Sequence, residues 1–215
     1  MQLFEQYRPK CWADVVGQAE ALRRIDSVRP RGLSGRAWWI SGKSGTGKTT
    51  TARLLAAEVA DEFATEEIDA GELTVSKLRE LVRGLHLRGM GNPGGRAVIV
   101  NEAHGLRGDV IRELLVDLEA IPRHVLWAFT TTIEGQIDLL GDHIDAHPLL
   151  SRCTLLELKT AGLDLAFAMR CRQIAQAEGL DGKPIDDYLA LVRKHKLNLR
   201  AALNDVEAGA MAGAA

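Results

Sequence analysis

Apolar residues along this chain follow two alternating rhythms. Ala37-Trp38-Trp39-Ile40, Ala97-Val98-Ile99-Val100, Val125 to Thr131 and Thr154 to Leu158 are short runs of strand length between polar or glycine-rich segments, as expected of buried strands. Between them lie helical stripes. Leu78, Leu81, Val82 and Leu85 fall at i, i+3, i+4, i+7, and so do Ile111, Leu114, Leu115 and Leu118, with Pro122 marking the end of the second stripe. Lys48 to about Ala60 reads as a helix, Phe63 to Asp69 as a more polar strand, and Gly89 to Gly95, with Pro93, as a loop. Strands alternating with helices predict βα units and a mostly parallel sheet. After Thr160 the rhythm is helical only, over Leu163 to Ala177, Ile185 to Lys194 and Leu199 to Ala208. The expected organisation is therefore a five-stranded α/β domain over 1–159, a small helical domain over 160–208, and an Ala/Gly-rich tail over 209–215 that frays.

Composition adds exclusions. The chain has 215 residues, 46% of them hydrophobic and 26% charged, with a formal net charge of −2, so it can bury a core and does not hold nucleic acid by bulk charge. Its longest apolar runs are far short of the roughly 20 residues that span a bilayer. The N-terminus lacks the basic and apolar regions of a secretory signal. These features predict a cytoplasmic protein with no membrane association. Asp61 to Glu72 carries six acids and no base, and Lys77 to Arg96 five bases and one acid; we read these as solvated surfaces of opposite sign. Cys11, Cys153 and Cys171 are far apart and without metal-ligand spacing, as expected of reduced thiols. His143 and His147 lie four apart beside Asp142 and Asp145, but Gly141 and the closing Pro148 argue against a helix that would set both imidazoles on one metal.

The sharpest signal is Gly42-Lys43-Ser44-Gly45-Thr46-Gly47-Lys48-Thr49, which fits G-x-x-x-x-G-K-[ST] between a strand and a helix. Glycines let the backbone N–H groups and the helix N-terminus face phosphate. Lys48 is placed to reach the β- and γ-phosphates and the Thr49 hydroxyl to ligate Mg²⁺, so ATP and Mg²⁺ are the expected ligands. Gly42, Ser44, Gly45, Thr46, Gly47 and Thr50 complete the expected nucleotide contacts. Downstream, Ile99-Val100-Asn101-Glu102-Ala103-His104 ends a buried strand on one carboxylate. Glu102 is placed as the base that orients and deprotonates water. Where an Asp would face the metal, this chain has Asn101, a neutral acceptor. Slow hydrolysis follows as an expectation, with Asn101→Asp expected to raise kcat tenfold or more, tenfold being about 1.4 kcal/mol of barrier.

The motifs taken together resemble a known family. Tyr7-Arg8-Pro9-Lys10, Asp14-Val15-Val16-Gly17-Gln18, the phosphate loop, Glu67-Ile68-Asp69-Ala70, Asn101-Glu102-Ala103-His104, Leu114-Leu115-x-x-Leu118-Glu119, Leu150-Ser151-Arg152-Cys153 and Asn198-Leu199-Arg200-x-Ala202 occur in the order found in clamp-loader AAA+ ATPases. Those include the bacterial DNA polymerase III gamma/tau subunit and the small subunits of replication factor C. The resemblance implies an α/β P-loop NTPase (AAA+) with a parallel sheet of order 5-1-4-3-2 and a three-helix lid. It implies that Tyr7, Arg8, Pro9, Val16 and Gly17 line an adenine pocket and that Thr132 (Thr131 as runner-up) is the sensor-1 residue. Arg152 would be an arginine finger acting on a neighbouring subunit, and Arg200 the sensor-2 arginine of the lid. It also implies an oligomer with other AAA+ or clamp-loader subunits in DNA replication or repair, with DNA and a sliding clamp as possible partners. Arg79, Arg83, Arg107 and Arg112 could face DNA, although a solvated face is the simpler reading.

Three departures qualify that picture. The chain stops after the lid, where the family has a collar; no cysteine-rich zinc module separates the two nucleotide motifs; and Ile133 to Leu150 reads as a longer loop than usual. Two other readings compete with the clamp-loader ATPase. One is a non-hydrolysing ATP-binding structural subunit, and the other a motor like those that migrate Holliday junctions.

Overall fold

The computed structural model describes residues 1–132 and 146–213. In chain order the elements are α1 (Leu3–Gln6), α2 (Ala19–Val28), β1 (Arg36–Gly42), α3 (Lys48–Ala57), β2 (Thr65–Asp69), α4 (Val75–Leu85), β3 (Arg96–Asn101), α5 (Gly108–Glu119), β4 (Val125–Thr131), α6 (Ala146–Ser151), β5 (Cys153–Leu158), α7 (Asp164–Ala177), α8 (Ile185–Lys194) and α9 (Leu199–Glu207). The chain divides into two compact units. One holds Glu20–Gly42 and Lys48–Glu157, the other Met1–Ala19, Lys43–Gly47 and Leu158–Ala215.

The first unit carries a five-stranded sheet of order β2-β3-β4-β1-β5, the order that the family resemblance implies read from the other edge. The pairs β1·β4, β2·β3 and β3·β4 are parallel, with Trp39 opposite Phe129, Val100 opposite Phe129, and Asp69 opposite Asn101. β4 is buried along its whole length and β3 nearly so, whereas the edge strand β2 buries little besides Ile68. That contrast explains why the central strands read as continuous apolar runs and β2 as a polar one. On one face Trp39, Val98, Val100, Trp127 and Phe129 pack with Leu78 and Leu85 of α4 and with Ile111, Leu114 and Leu118 of α5. The Trp127 and Phe129 rings stack at 5.9 Å. Both helical stripes in the sequence therefore cover the same face of the sheet. Arg79 and Glu113 form an exposed ion pair between α4 and α5, with Nε 2.6 Å from the carboxylate.

The second unit is helical. Phe167, Cys171 and Ile174 of α7, Tyr188, Leu191 and Val192 of α8, and Ala202, Leu203 and Val206 of α9 form its core, which Leu3 of α1 joins. Burial pushes the Cys171 thiol up to about 12, and the same cause acts on Cys153 in the sheet unit, also to about 12.

Several boundaries differ from the sequence pattern. Strand β2 starts at Thr65, because the Asp61 side chain caps a 3₁₀ turn by accepting from Ala64 N at 2.8 Å and leaves Phe63 92% exposed. Residues 146–150, expected within the loop from Ile133 to Leu150, belong to α6 (Ala146–Ser151). Pro148 is its third residue, in the first turn, where no intrahelical donor is missed. Leu149 and Leu150 then enter the sheet core. Helix α2 also lies outside the expected set; it buries only Ala21 and Ile25, too narrow a stripe to stand out. The suspected pair of His143 and His147 with Asp142 and Asp145 falls, apart from the backbone of His147, outside the described residues, as do residues 133–145 of the long loop and 214–215 of the tail. Among the described residues, no helix is long and apolar enough to cross a membrane.

Candidate functional site

The phosphate-loop motif opens where β1 ends, at buried Gly42. Lys43–Gly47 then cluster with the helical unit. Gly45 has φ +77°, a left-handed conformation, and a Cβ there would lie 2.6 Å from Asn198 Cγ and 3.0 Å from Asn198 Cα. Only glycine meets both conditions. Asn198 caps α9 by accepting from Ala201 N at 3.2 Å, and its Nδ2 stands 3.4 Å from Ser44 Oγ. Thr46 donates to Lys43 O at 2.8 Å, which tightens the loop. Lys48, 7% exposed, and Thr49 open helix α3, and Thr50 is buried behind them. Orphan N–H groups of that first turn and the positive end of the helix dipole suit an anion.

In the sheet unit, the ends of β3 and β4 meet the first turn of α3. Thr49 Oγ1 donates to Asn101 Oδ1 at 3.2 Å, and Thr130 Oγ1 donates to the same oxygen at 2.9 Å. Thr130 is 1% exposed, so its hydroxyl needs that partner. Asn101 Nδ2 in turn donates to Glu67 Oε1 at 2.7 Å. One residue on, Glu102 adopts φ 50° and ψ 48°, an uncommon backbone for a side-chain-bearing residue that costs on the order of 1 kcal/mol. Its Oε2 accepts from Thr132 Oγ1 at 3.1 Å and lies 3.4 Å from His104 Nδ1. The same His104 nitrogen is 3.3 Å from Thr131 Oγ1. Three successive threonines thus reach three groups: Thr130 reaches Asn101, Thr131 reaches His104, and Thr132 reaches Glu102.

The oxygen-rich set around Thr49 suits Mg²⁺, a hard cation. Thr49 commits its proton to Asn101, so its lone pairs face outward, as a cation ligand requires. Glu102, a carboxylate hydrogen-bonded at one oxygen, can accept a proton from water.

The other expected residues are placed as follows. In the helical unit, Tyr7 OH donates to Glu178 at 2.6 Å, Arg8 Nε donates to Glu5 at 3.0 Å, and Pro9 is half-buried. Val16 packs on the helical core, and Gly17 meets the Leu163 side chain, to which a Cβ would approach within 2.6 Å. The Tyr7 phenol is raised by its hydrogen bond to Glu178. Arg200 lies over the Phe4 ring at 5.2 Å. In the sheet unit, Arg152 pairs with Glu119 and donates to Pro148 O at 2.9 Å, and its buried Nε has no partner among the described residues. Thr49, Asn101, Glu102 and Thr132 thus belong to one unit, and Ser44, Gly45, Tyr7, Val16, Gly17 and Arg200 to the other. Sequence reasoning assigned no role to Glu67, Thr130, His104 or Asn198. Thr130 carried a usable signal, since a hydroxyl two residues before Thr132 on a strand lies on the same face.

A strand, a glycine-rich loop, a helix and a strand-end carboxylate on a sheet of this order make up a P-loop fold of AAA+ type. The family model described as ATPase family associated with various cellular activities (AAA) matches residues 39–143. The replication factor C small subunit of Halobacterium salinarum is 27% identical over 213 residues, covering 97% of this chain and 63% of that protein. The DNA polymerase III subunit gamma of Buchnera aphidicola is 26% identical over 230 residues, covering 95% and 60%. Among solved structures, the Thermotoga maritima RuvB Holliday junction branch migration motor superposes with TM-score 0.71 at 19% identity, over 94% of this chain and 64% of that one. The chain therefore has the AAA+ fold and resembles clamp-loader subunits in sequence over nearly its whole length. It spans about six-tenths of the length of the curated relatives it matches.

Proposed function

We propose that this protein binds Mg·ATP on the Gly42–Thr49 loop and hydrolyses it slowly, as one subunit of an oligomer of clamp-loader type in DNA replication or repair. The observation that carries the reading is the joining of Thr49 to Asn101 and of Thr132 to Glu102 at the mouth of the sheet. Lys48 neutralises the β- and γ-phosphates and the α3 N-terminus receives them. Thr49 and Asn101 would hold Mg²⁺, which when bound supplies charge neutralisation on the phosphates. Glu102, oriented by Thr132 and His104, takes the proton of the attacking water. Tyr7, Arg8, Pro9, Val16 and Gly17 receive the base, and Arg200 reports the bound state from the helical unit. Arg152 serves a neighbouring subunit's γ-phosphate. DNA and a sliding clamp are the partners in this reading.

A second reading is a subunit that binds ATP without turnover, and Asn101 in place of a carboxylate favours it. Calorimetry and a phosphate-release assay separate the two. Lys48→Ala should abolish tight ATP binding. Glu102→Gln should retain binding and lose hydrolysis. Release by the unsubstituted chain no faster than by Glu102→Gln would leave the scaffold reading, and unchanged affinity in Lys48→Ala would refute the site.

A further inference from the structure

Asn101 looks from sequence like a missing charge. The structure puts a carboxylate beside it from another strand. Glu67 Oε1 accepts from Asn101 Nδ2 at 2.7 Å, and β2 lies next to β3 in the sheet, with Asp69 opposite Asn101. Arg53, one helical turn beyond Thr49 on α3, grips the same carboxylate, Nε to Oε2 at 2.7 Å and Nη2 to Oε1 at 3.1 Å. An ionised carboxylate only accepts, so it faces the nitrogen of the amide and directs the oxygen away. That oxygen meets the Thr49 and Thr130 hydroxyls. With the amide reversed, Nδ2 would point at Thr49, its hydrogens toward the place of a cation, and Oδ1 would confront Glu67.

We infer that Glu67 is a positioning residue for the Mg²⁺ site: held by Arg53, it orients the Asn101 amide so that a neutral side chain presents an oxygen where the motif calls for a carboxylate. The inference rests on the proposed Mg·ATP reading and deepens it. It also reverses an expectation from sequence. Asn101→Asp alone sets a second carboxylate against Glu67, and like charges at that range oppose each other. The gain in kcat expected for Asn101→Asp then belongs to the double variant Glu67→Gln/Asn101→Asp, in which the glutamine amide donates to the new carboxylate.

The test uses the full chain and two readouts. The first is the ratio of ATP affinities with and without Mg²⁺, measured by calorimetry. The second is the unfolding midpoint without nucleotide and with Mg²⁺ chelated. Glu67→Ala should cut the Mg²⁺ enhancement of ATP binding about tenfold, the scale on which supporting residues act on metal sites. Asn101→Asp should lower the midpoint, and adding Glu67→Gln should recover it. A Glu67→Ala protein that unfolds earlier but keeps the full Mg²⁺ enhancement has lost only a structural contact, which overturns the inference. So does an Asn101→Asp midpoint that Glu67→Gln fails to recover. If the unsubstituted chain binds no ATP, the proposed function falls and takes this inference with it. Binding with an unaltered Mg²⁺ ratio in Glu67→Ala defeats the inference alone.

Discussion

Gly45 bears two constraints at once, a left-handed backbone and the close approach of Asn198. An alanine there pays a conformational cost of about 1 kcal/mol or more, before any displacement of Asn198. Gly45→Ala should therefore lower the nucleotide-free unfolding midpoint and weaken ATP binding, because the loop can no longer fold back on itself. Thermal unfolding with and without ATP checks this; a midpoint equal to that of the unsubstituted chain refutes the strain account. Glu102 makes a similar point from the other side, since its φ of 50° is held without glycine's freedom. Thr132 and His104 anchor its carboxylate in return.

Among elements, the strands divide the labour. Central strands supply apolar bulk, and the ends of β3 and β4, with edge strand β2, supply the polar groups that meet at Asn101. In the helical unit, the link between α7 and α8 is tied by Asp181, which accepts from Gln176 at 2.9 Å, Tyr188 at 3.0 Å and Arg172 at 3.3 Å. The Gln176 hydrogen bond foremost, then those from Tyr188 and Arg172, hold its carboxyl below the usual aspartate range. A depressed folded pKa contributes stability above the unfolded value of about 3.9, and that stability is lost as pH falls through the folded value. Asp181→Asn should thus shallow the acid limb of unfolding below about pH 4, read by circular dichroism. An acid limb as steep as that of the parent would show that Asp181 contributes nothing to it.

For the whole molecule, the proposal turns on a second copy or a related subunit. Arg152 is engaged by Glu119 and by Pro148 O within its own unit, so to serve a neighbour it must exchange those partners for phosphate. Arg152→Ala should keep ATP binding and lose turnover by about 10³–10⁵, as arginine fingers do in related NTPases. Mixing Arg152→Ala with Glu102→Gln should restore part of the activity, because each supplies what the other lacks at a shared interface. No recovery at any mixing ratio, with assembly confirmed by light scattering, would place Arg152 outside the neighbour's site.

The α/β class, the order of the five strands and the glycine-rich loop motif were legible in the linear pattern, as were α3, α4, α5 and α7 to α9, since each depends on residues adjacent in sequence: apolar runs, i, i+3, i+4 stripes, and G-x-x-x-x-G-K-T before a helix. Glu102 was legible for the same reason, as the carboxylate at the end of a buried run. What surrounds them was not. Glu67 and Thr130 meet Asn101, and Arg53 meets Glu67, only because the chain crosses over to set β2 and β4 on either side of β3 and to lay α3 against the sheet. Periodicity carries no information about which strands become neighbours. Helix α6 escaped because a proline, which ends most helices, is tolerated in a first turn. The sequence by itself determined the glycine-rich loop between strand and helix on which the proposed phosphate site rests. Tertiary structure decided which carboxylate stands beside Asn101, because hydrogen bonding between distant segments depends on strand order and register.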